Sequence, residues 1–179
     1  MPVPYNSMHT IDINCDLGEG FPNDKALMKF ISSANIACGY HAGDIDTIKS
    51  TIAYCIENGV AVGAHPGFND KANFGRTEME LSIYELYDLV AEQITLMQDA
   101  CKEMGASLHH VKPHGALYND MMRDENIFKA VLNAISSFNK NIVEVLSKIN
   151  SLSTTTDSSV DVRIFDANGV LNTYSLPSF

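Results

Sequence analysis

The sequence predicts a parallel α/β domain that curls into a (β/α) TIM-like barrel, and three observations carry that expectation. Short apolar strands alternate with amphipathic helices, the strands lie too far apart to pair as hairpins, and polar side chains recur on one face of two strands. Strands joined through helices lie parallel, with right-handed crossovers. In an open sheet with helices on both sides such polar rows would be buried under a helix, whereas a barrel interior directs them towards a wet mouth.

The first strand is residues 11 to 16, where apolar and polar residues alternate and Asp12, Asn14 and Asp16 share a face. A second apolar run, Ala34 to Cys38, precedes a helix over Asp44 to Asn58, in which Ile45, Ile48, Ile52 and Ile56 recur at helical spacing before Gly59 stops it. Val60 to Ala64 forms the third strand. After a polar loop, Ser82 and Glu85 have the spacing of a capping box, and the stripe Leu86, Leu89, Val90, Ile94, Met97, Cys101 and Met104 runs to Gly105. Ser107 to Lys112 is the fourth strand, with His110, Lys112 and His114 of one parity along residues 108 to 114. Ile127, Val131, Leu132 and Ile135 mark another helix.

From Asn139 the regularity weakens. Ile142 to Ile149 reads as a short helix, Ser151 to Ser159 as a Ser/Thr-rich linker, and Val160 to Asp166 as a strand joined through Asn168-Gly169 to Val170 to Tyr174 in a hairpin. The expected division is a barrel portion over residues 1–136 and a divergent tail over 137–179.

A chain of 179 residues with 45% hydrophobic content suits one domain, and its net charge of -10 argues against nucleic acid and anionic membranes, which reward clustered Lys and Arg. No apolar run is long enough to span a bilayer, and Met1 to Ser7 lacks the basic and apolar regions of a secretion signal. A cytoplasmic chain acting on a small molecule or meeting a protein partner is expected. Cys15, Cys38, Cys55 and Cys101 lack C-x-x-C spacing and read as free thiols. Neither a Walker A pattern, a G-x-G-x-x-G nor a G-x-S-x-G elbow occurs.

Chemistry concentrates in four segments just past strand ends: Asp16 to Gly20, Cys38 to Asp44, Gly63 to Gly67, and Lys112 to Tyr118. The carboxyl ends of parallel strands converge on one ligand crevice, so these residues meet there. One His or Asp beside a glycine is ordinarily a structural group, but four such segments on one side form a set. Asp16, Glu19 and Asp44 supply carboxylates, His41, His65 and His114 imidazoles, and Lys112 a cation for developing negative charge. Asn14 and Asn35 are candidates to orient those carboxylates. Arg76 either clamps an anion or is solvated, and Tyr118 is a candidate binding residue. His9, His109 and His110 read as structural.

Five segments, Asp12-Ile-Asn-Cys-Asp-Leu-Gly-Glu-Gly20, Asn35-Ile-Ala-Cys-Gly-Tyr-His-Ala-Gly-Asp44, Val62-Gly-Ala-His-Pro-Gly67, Phe74-Gly-Arg76 and Val111-Lys-Pro-His-Gly-Ala-Leu-Tyr-Asn119, together resemble the LamB/YcsF family of 5-oxoprolinase A subunits. The resemblance covers roughly residues 9 to 136, about half of a family member, and the family's later acidic and Cys-x-His-Gly-Asp segments are not found. It implies a barrel of the glycoside hydrolase/deacetylase type, incomplete in this chain, and ATP-dependent opening of the 5-oxoproline lactam to glutamate with B and C subunits. In that chemistry Asp16 or His65 would be the general base, with Lys112 and His114 stabilising charge on oxygen. A divalent metal on Asp16 and the histidines is implied only by analogy with the deacetylases. The open edges of a partial barrel suggest a homo-oligomer. Two other readings stay open: a metal-dependent deacetylase or amidohydrolase, and a truncated non-catalytic binding module.

Overall fold

In the computed structural model, which describes residues 10–138 and 162–165, four parallel strands stand side by side in chain order. β1 (Thr10–Leu17), β2 (Ser33–Ala37), β3 (Ala61–His65) and β4 (Leu108–Val111) pair consecutively, with Asp16 opposite Asn35 and Ala37 opposite His65. An order without reversal is that of a barrel wall, since a doubly wound sheet reverses at its switch point. The fold is therefore the expected barrel-type α/β arrangement, of which the described residues form an incomplete arc.

The connecting helices are α1 (Asp24–Leu27), α2 (Ile45–Asn58), α3 (Ile83–Met104), α4 (Gly115–Arg123) and α5 (Glu125–Ser136). α2 and α3 pack on the sheet and on each other, and α3 packs on α5. Ile48 and Ile52 of α2, Val90, Ile94 and Met97 of α3, and Val131 and Ile135 of α5 are buried together, as their spacing requires. α2 starts where the Asp44 carboxylate accepts from Thr47 N and ends at Gly59, whose φ of 68° completes a left-handed cap. α3 carries the full capping box of Ser82 and Glu85 and ends at Gly105 in the same conformation. Among the described residues no helix is long and apolar enough to cross a membrane.

Three features differ from the sequence expectation. β4 stops at Val111, one residue before the expected end at Lys112, and the parity extended to His114 ends there too, because the chain turns into α4 with His114 as its N-cap. Pro113 and Gly115 look like breakers in a linear reading, yet here they shape the corner between strand and helix. α1, a single turn, has no apolar periodicity to reveal it. β5 (Val162–Phe165) falls within the predicted strand but lies antiparallel on β1, with Thr10 opposite Phe165. The expected helix over 142–149 and the partner strand over 170–174 lie outside the described residues. Cys38, Cys55 and Cys101 are buried free thiols and Cys15 is half-buried. Burial pushes the Cys38 and Cys55 thiols up to about 12, which keeps them protonated and unreactive.

Candidate active site at the strand ends

The carboxyl ends of the four parallel strands bring two connected groups of side chains together. The first is built on Asn35, which is fully buried on β2. Its Nδ2 donates to Asn14 Oδ1 and Asp16 Oδ1, each at 2.8 Å, and its Oδ1 accepts from His110 Nε2 at 2.7 Å. Asp16 then meets Lys112 Nζ at 3.1 Å and His65 Nε2 at 3.4 Å. Burial alone would raise the Asp16 pKa, but hydrogen bonding and charge from His65, with Lys112 and Asn35, outweigh it and hold the carboxyl well below the usual range. His110 reaches Asn35 because β3 is irregular at Val62 and Gly63, where the imidazole lies over bare backbone. A Cβ on Gly63 would stand 2.2 Å from His110 Nε2.

The second group is a set of three imidazoles and Glu19. His65 Nδ1 donates to the Lys112 carbonyl at 2.5 Å, and His114 Nε2 donates to the Phe74 carbonyl at 2.9 Å. Their other nitrogens, His65 Nε2 and His114 Nδ1, face each other at 3.0 Å. His41 stacks on His114 with ring centroids 3.9 Å apart and planes within 6°. Glu19 Oε1 lies 3.7 Å from His41 Nε2 and 3.8 Å from His114 Nδ1. Burial, with the neighbouring His41 and His65, pushes His114 down to about 4, and burial also lowers His41, so both rings are neutral near pH 7. Glu19, His41, His65 and His114 each offer one ligand atom, and those atoms lie within 4.8 Å of one another.

Of the residues singled out in the sequence, Asp16, Glu19, His41, His65, Lys112 and His114 converge, with Asn14 and Asn35 behind them. Asp44 does not: it is exposed, and its carboxylate is occupied in capping α2. An acidic residue before a helix has the same sequence signature in either role. Arg76 is exposed beside the Phe74 ring, 5.4 Å from its centroid. Tyr118 is half-buried on α4 and packs against the core.

Three positioning residues carry no clear sign in the sequence. Phe74 adopts a φ of 57°, a left-handed conformation uncommon outside glycine, and its ring lies edge-on to His41 and His114. His110, expected to be structural, holds Asn35, the residue that bonds Asn14 and Asp16. Gln93, fully buried in α3, accepts from Gly67 N at 3.0 Å and donates to Gly67 O at 2.9 Å. Gly67 needs that anchoring, because it closes on the imidazole of His41, and a Cβ there would stand 2.7 Å from Nδ1. The available signal is an amide inside the apolar stripe between Val90 and Met97.

The profile of the LamB/YcsF family matches residues 11–167. The chain belongs to the LamB/YcsF family. The match runs past residue 136, where the recognisable motifs end. Among its LamB/YcsF relatives, the A subunit of 5-oxoprolinase from Shouchella clausii is 45% identical over 141 residues, covering 76% of this chain and 56% of the relative. The corresponding 5-oxoprolinase A subunit from Clostridium kluyveri is 40% identical over 177 residues, covering 92% of this chain and 69% of the relative. The crystal structure of a lactam utilization protein from Thermus thermophilus is similar with a TM-score of 0.70 and 43% identity, over 72% of this chain and 54% of that one. The chain thus spans between about half and two thirds of the length of these relatives.

Proposed function

We propose that this chain supplies the catalytic face of the A subunit of a 5-oxoprolinase, in which ATP-dependent hydrolysis opens the lactam of 5-oxoproline to glutamate in a complex with B- and C-type subunits. The names of the relatives support the substrate class. The observation that carries the reading is the Asp16–Lys112 pair. Their side chains are 36% and 21% exposed, whereas His65, His114, His41 and Glu19 are at most 9% exposed behind them.

A lactam is a poor electrophile, and phosphorylating its oxygen activates the carbon. Water adds to that carbon, and the ring C–N bond breaks with its electron pair and a proton passing to nitrogen. A second water then displaces phosphate from the resulting acyl phosphate. ATP enters at the level of the complex. Lys112 faces the negative charge that gathers on oxygen, and Asp16, held ionised, orients the attacking water and accepts its proton. Of the two general-base candidates Asp16 is the accessible one, and the activated carbon makes a weak base sufficient. His65 and His114 sit behind and hold the geometry. The cytoplasm, where ATP is supplied, suits this chemistry.

The test is glutamate formation and 5-oxoproline-dependent ATP hydrolysis by the chain reconstituted with B- and C-type subunits. Lys112→Ala is expected to lower turnover by about 10²–10³-fold. Unchanged turnover in that variant, or no lactam-dependent turnover in the wild-type complex, would overturn the reading. The convergence of three imidazoles and Glu19 favours a second reading, a deacetylase or amidohydrolase that works without ATP. Amide hydrolysis at full rate in nucleotide-free assays would select it.

A further inference from the structure

The hydrogen bonds of the histidine group leave a specific deficit of positive charge. Carbonyl oxygens only accept, so the Lys112 and Phe74 carbonyls fix the N–H of His65 on Nδ1 and that of His114 on Nε2. That leaves His65 Nε2 and His114 Nδ1 facing each other across 3.0 Å. Nitrogens that both present lone pairs at that distance repel unless a proton or a metal ion stands between or beside them. Beside this pair, Glu19 Oε1 and both ring nitrogens of His41 are buried without a hydrogen-bond partner among the described residues. Buried polar groups are nearly always satisfied, so Glu19 Oε1 and the His41 Nε2 that faces it at 3.7 Å need a common partner, while His41 Nδ1 lies on the other side of the ring against Gly67.

A single proton does not supply it. An imidazolium bridging His65 and His114 would repair that contact, but it would leave Glu19 Oε1 and His41 unpartnered. A metal ion accounts for the facing nitrogens of His65 and His114 together with Glu19 Oε1 and His41 Nε2. Four donors held at about 2.0–2.2 Å around a tetrahedral ion stand roughly 3.3 Å apart. The separations of 3.0, 3.7 and 3.8 Å between His65 and His114, Glu19 and His41, and Glu19 and His114 bracket that value. The supporting bonds of His65 and His114 have the arrangement typical of metal-bound histidine, whose second N–H is donated to a backbone carbonyl. The backbone also closes tightly over the stacked rings: a Cβ on Gly75 would lie 2.6 Å from His41 Cβ.

We infer that Glu19, His41, His65 and His114 bind one divalent cation of the zinc class, at a site behind the Asp16–Lys112 pair that faces the substrate. Three imidazoles and one carboxylate suit zinc and its borderline neighbours better than calcium or magnesium, which take oxygen donors. The four protein donors are buried, so the ion fixes the strand-end loops relative to one another. No thiol belongs to the set.

The experiment uses the full chain, stripped with a chelator and titrated with Zn²⁺ by calorimetry and with Co²⁺ by visible absorption. One ion per chain is expected, together with a raised unfolding midpoint and cobalt ligand-field bands free of thiolate charge transfer. Glu19→Gln and His41→Asn should each weaken binding at least about tenfold. Glu125→Gln, exposed at the start of α5, should bind like the wild type. Glu19→Gln keeps the size of the side chain, so it tests the site even if His41→Asn fails to fold. No saturable uptake, wild-type affinity in Glu19→Gln, or a thiolate band would overturn the inference. Uptake is read without substrate, nucleotide or partner subunits. A failure of lactam opening therefore leaves the site standing, and absence of uptake removes it even where lactam opening proceeds.

Discussion

The two sides of the parallel sheet are held by different physics. On the helix side, Ile48, Ile52, Val90, Ile94 and Met97 are buried in a continuous apolar layer whose stabilisation grows with area removed from water and is insensitive to direction. On the other side, Asn14, Asp16, Asn35, His65, His110 and Lys112 form a directional chain of hydrogen bonds and charges between specific atoms. Stability is concentrated on the first side and chemistry on the second, so substitutions should separate the two.

The largest stability effect belongs to the helix side. Ile94→Ala should cost about 2–5 kcal/mol in denaturant unfolding, because it empties volume between α3 and the sheet, while residual folded protein keeps its metal affinity. Loss of metal affinity with little loss of stability would break the separation. Next comes Asn35→Leu, which fills the volume but leaves Asn14, Asp16 and His110 without their shared partner. About 1–3 kcal/mol is expected, with a fall in turnover larger than Ile94→Ala produces among folded molecules. Equal turnover in the two variants would show that the polar chain does not position Asp16.

Asp44→Ala sharpens the comparison at smaller scale, since Asp44 lies in a motif with His41 but serves α2. Thermal unfolding should show a modestly lowered midpoint and calorimetry an unchanged zinc affinity; a large loss of zinc binding would return Asp44 to the site. Smallest is Lys49→Ala, which removes an exposed pair with Glu103 at 2.7 Å. A change of at most about 1 kcal/mol is expected, fading with added salt. A salt-insensitive loss would mean that the lysine stem, rather than its charge, is what packs there.

Much of this division is legible in the sequence. The strands and the two long helices follow from apolar spacing, and their ends from Gly59, Gly105 and the Ser82–Glu85 box, because these signals are local. The convergence of Asp16, His41, His65, Lys112 and His114 is also legible, since parallel topology sends successive strand ends to one place. What stays hidden depends on tertiary contact. Asp44 as a cap and Asp16 as a site residue look alike until their partners are known. Gln93 reads as an interruption of a stripe until Gly67 is seen against it, and Phe74 gives no linear sign of its left-handed backbone. The antiparallel setting of β5 could not be read at all, because alternation marks a strand and not its direction.

Lys112 divides its work between two parts of one residue. Its side chain meets Asp16, its N–H donates to Ala64 O at 2.9 Å, and its carbonyl fixes the ring of His65. Pro113 restricts the backbone that aims that carbonyl. Mutation at this codon can therefore rewrite the charge at the mouth of the site but leaves the main-chain acceptor in place. Natural drift at position 112 could retune chemistry there without loosening the imidazole behind it.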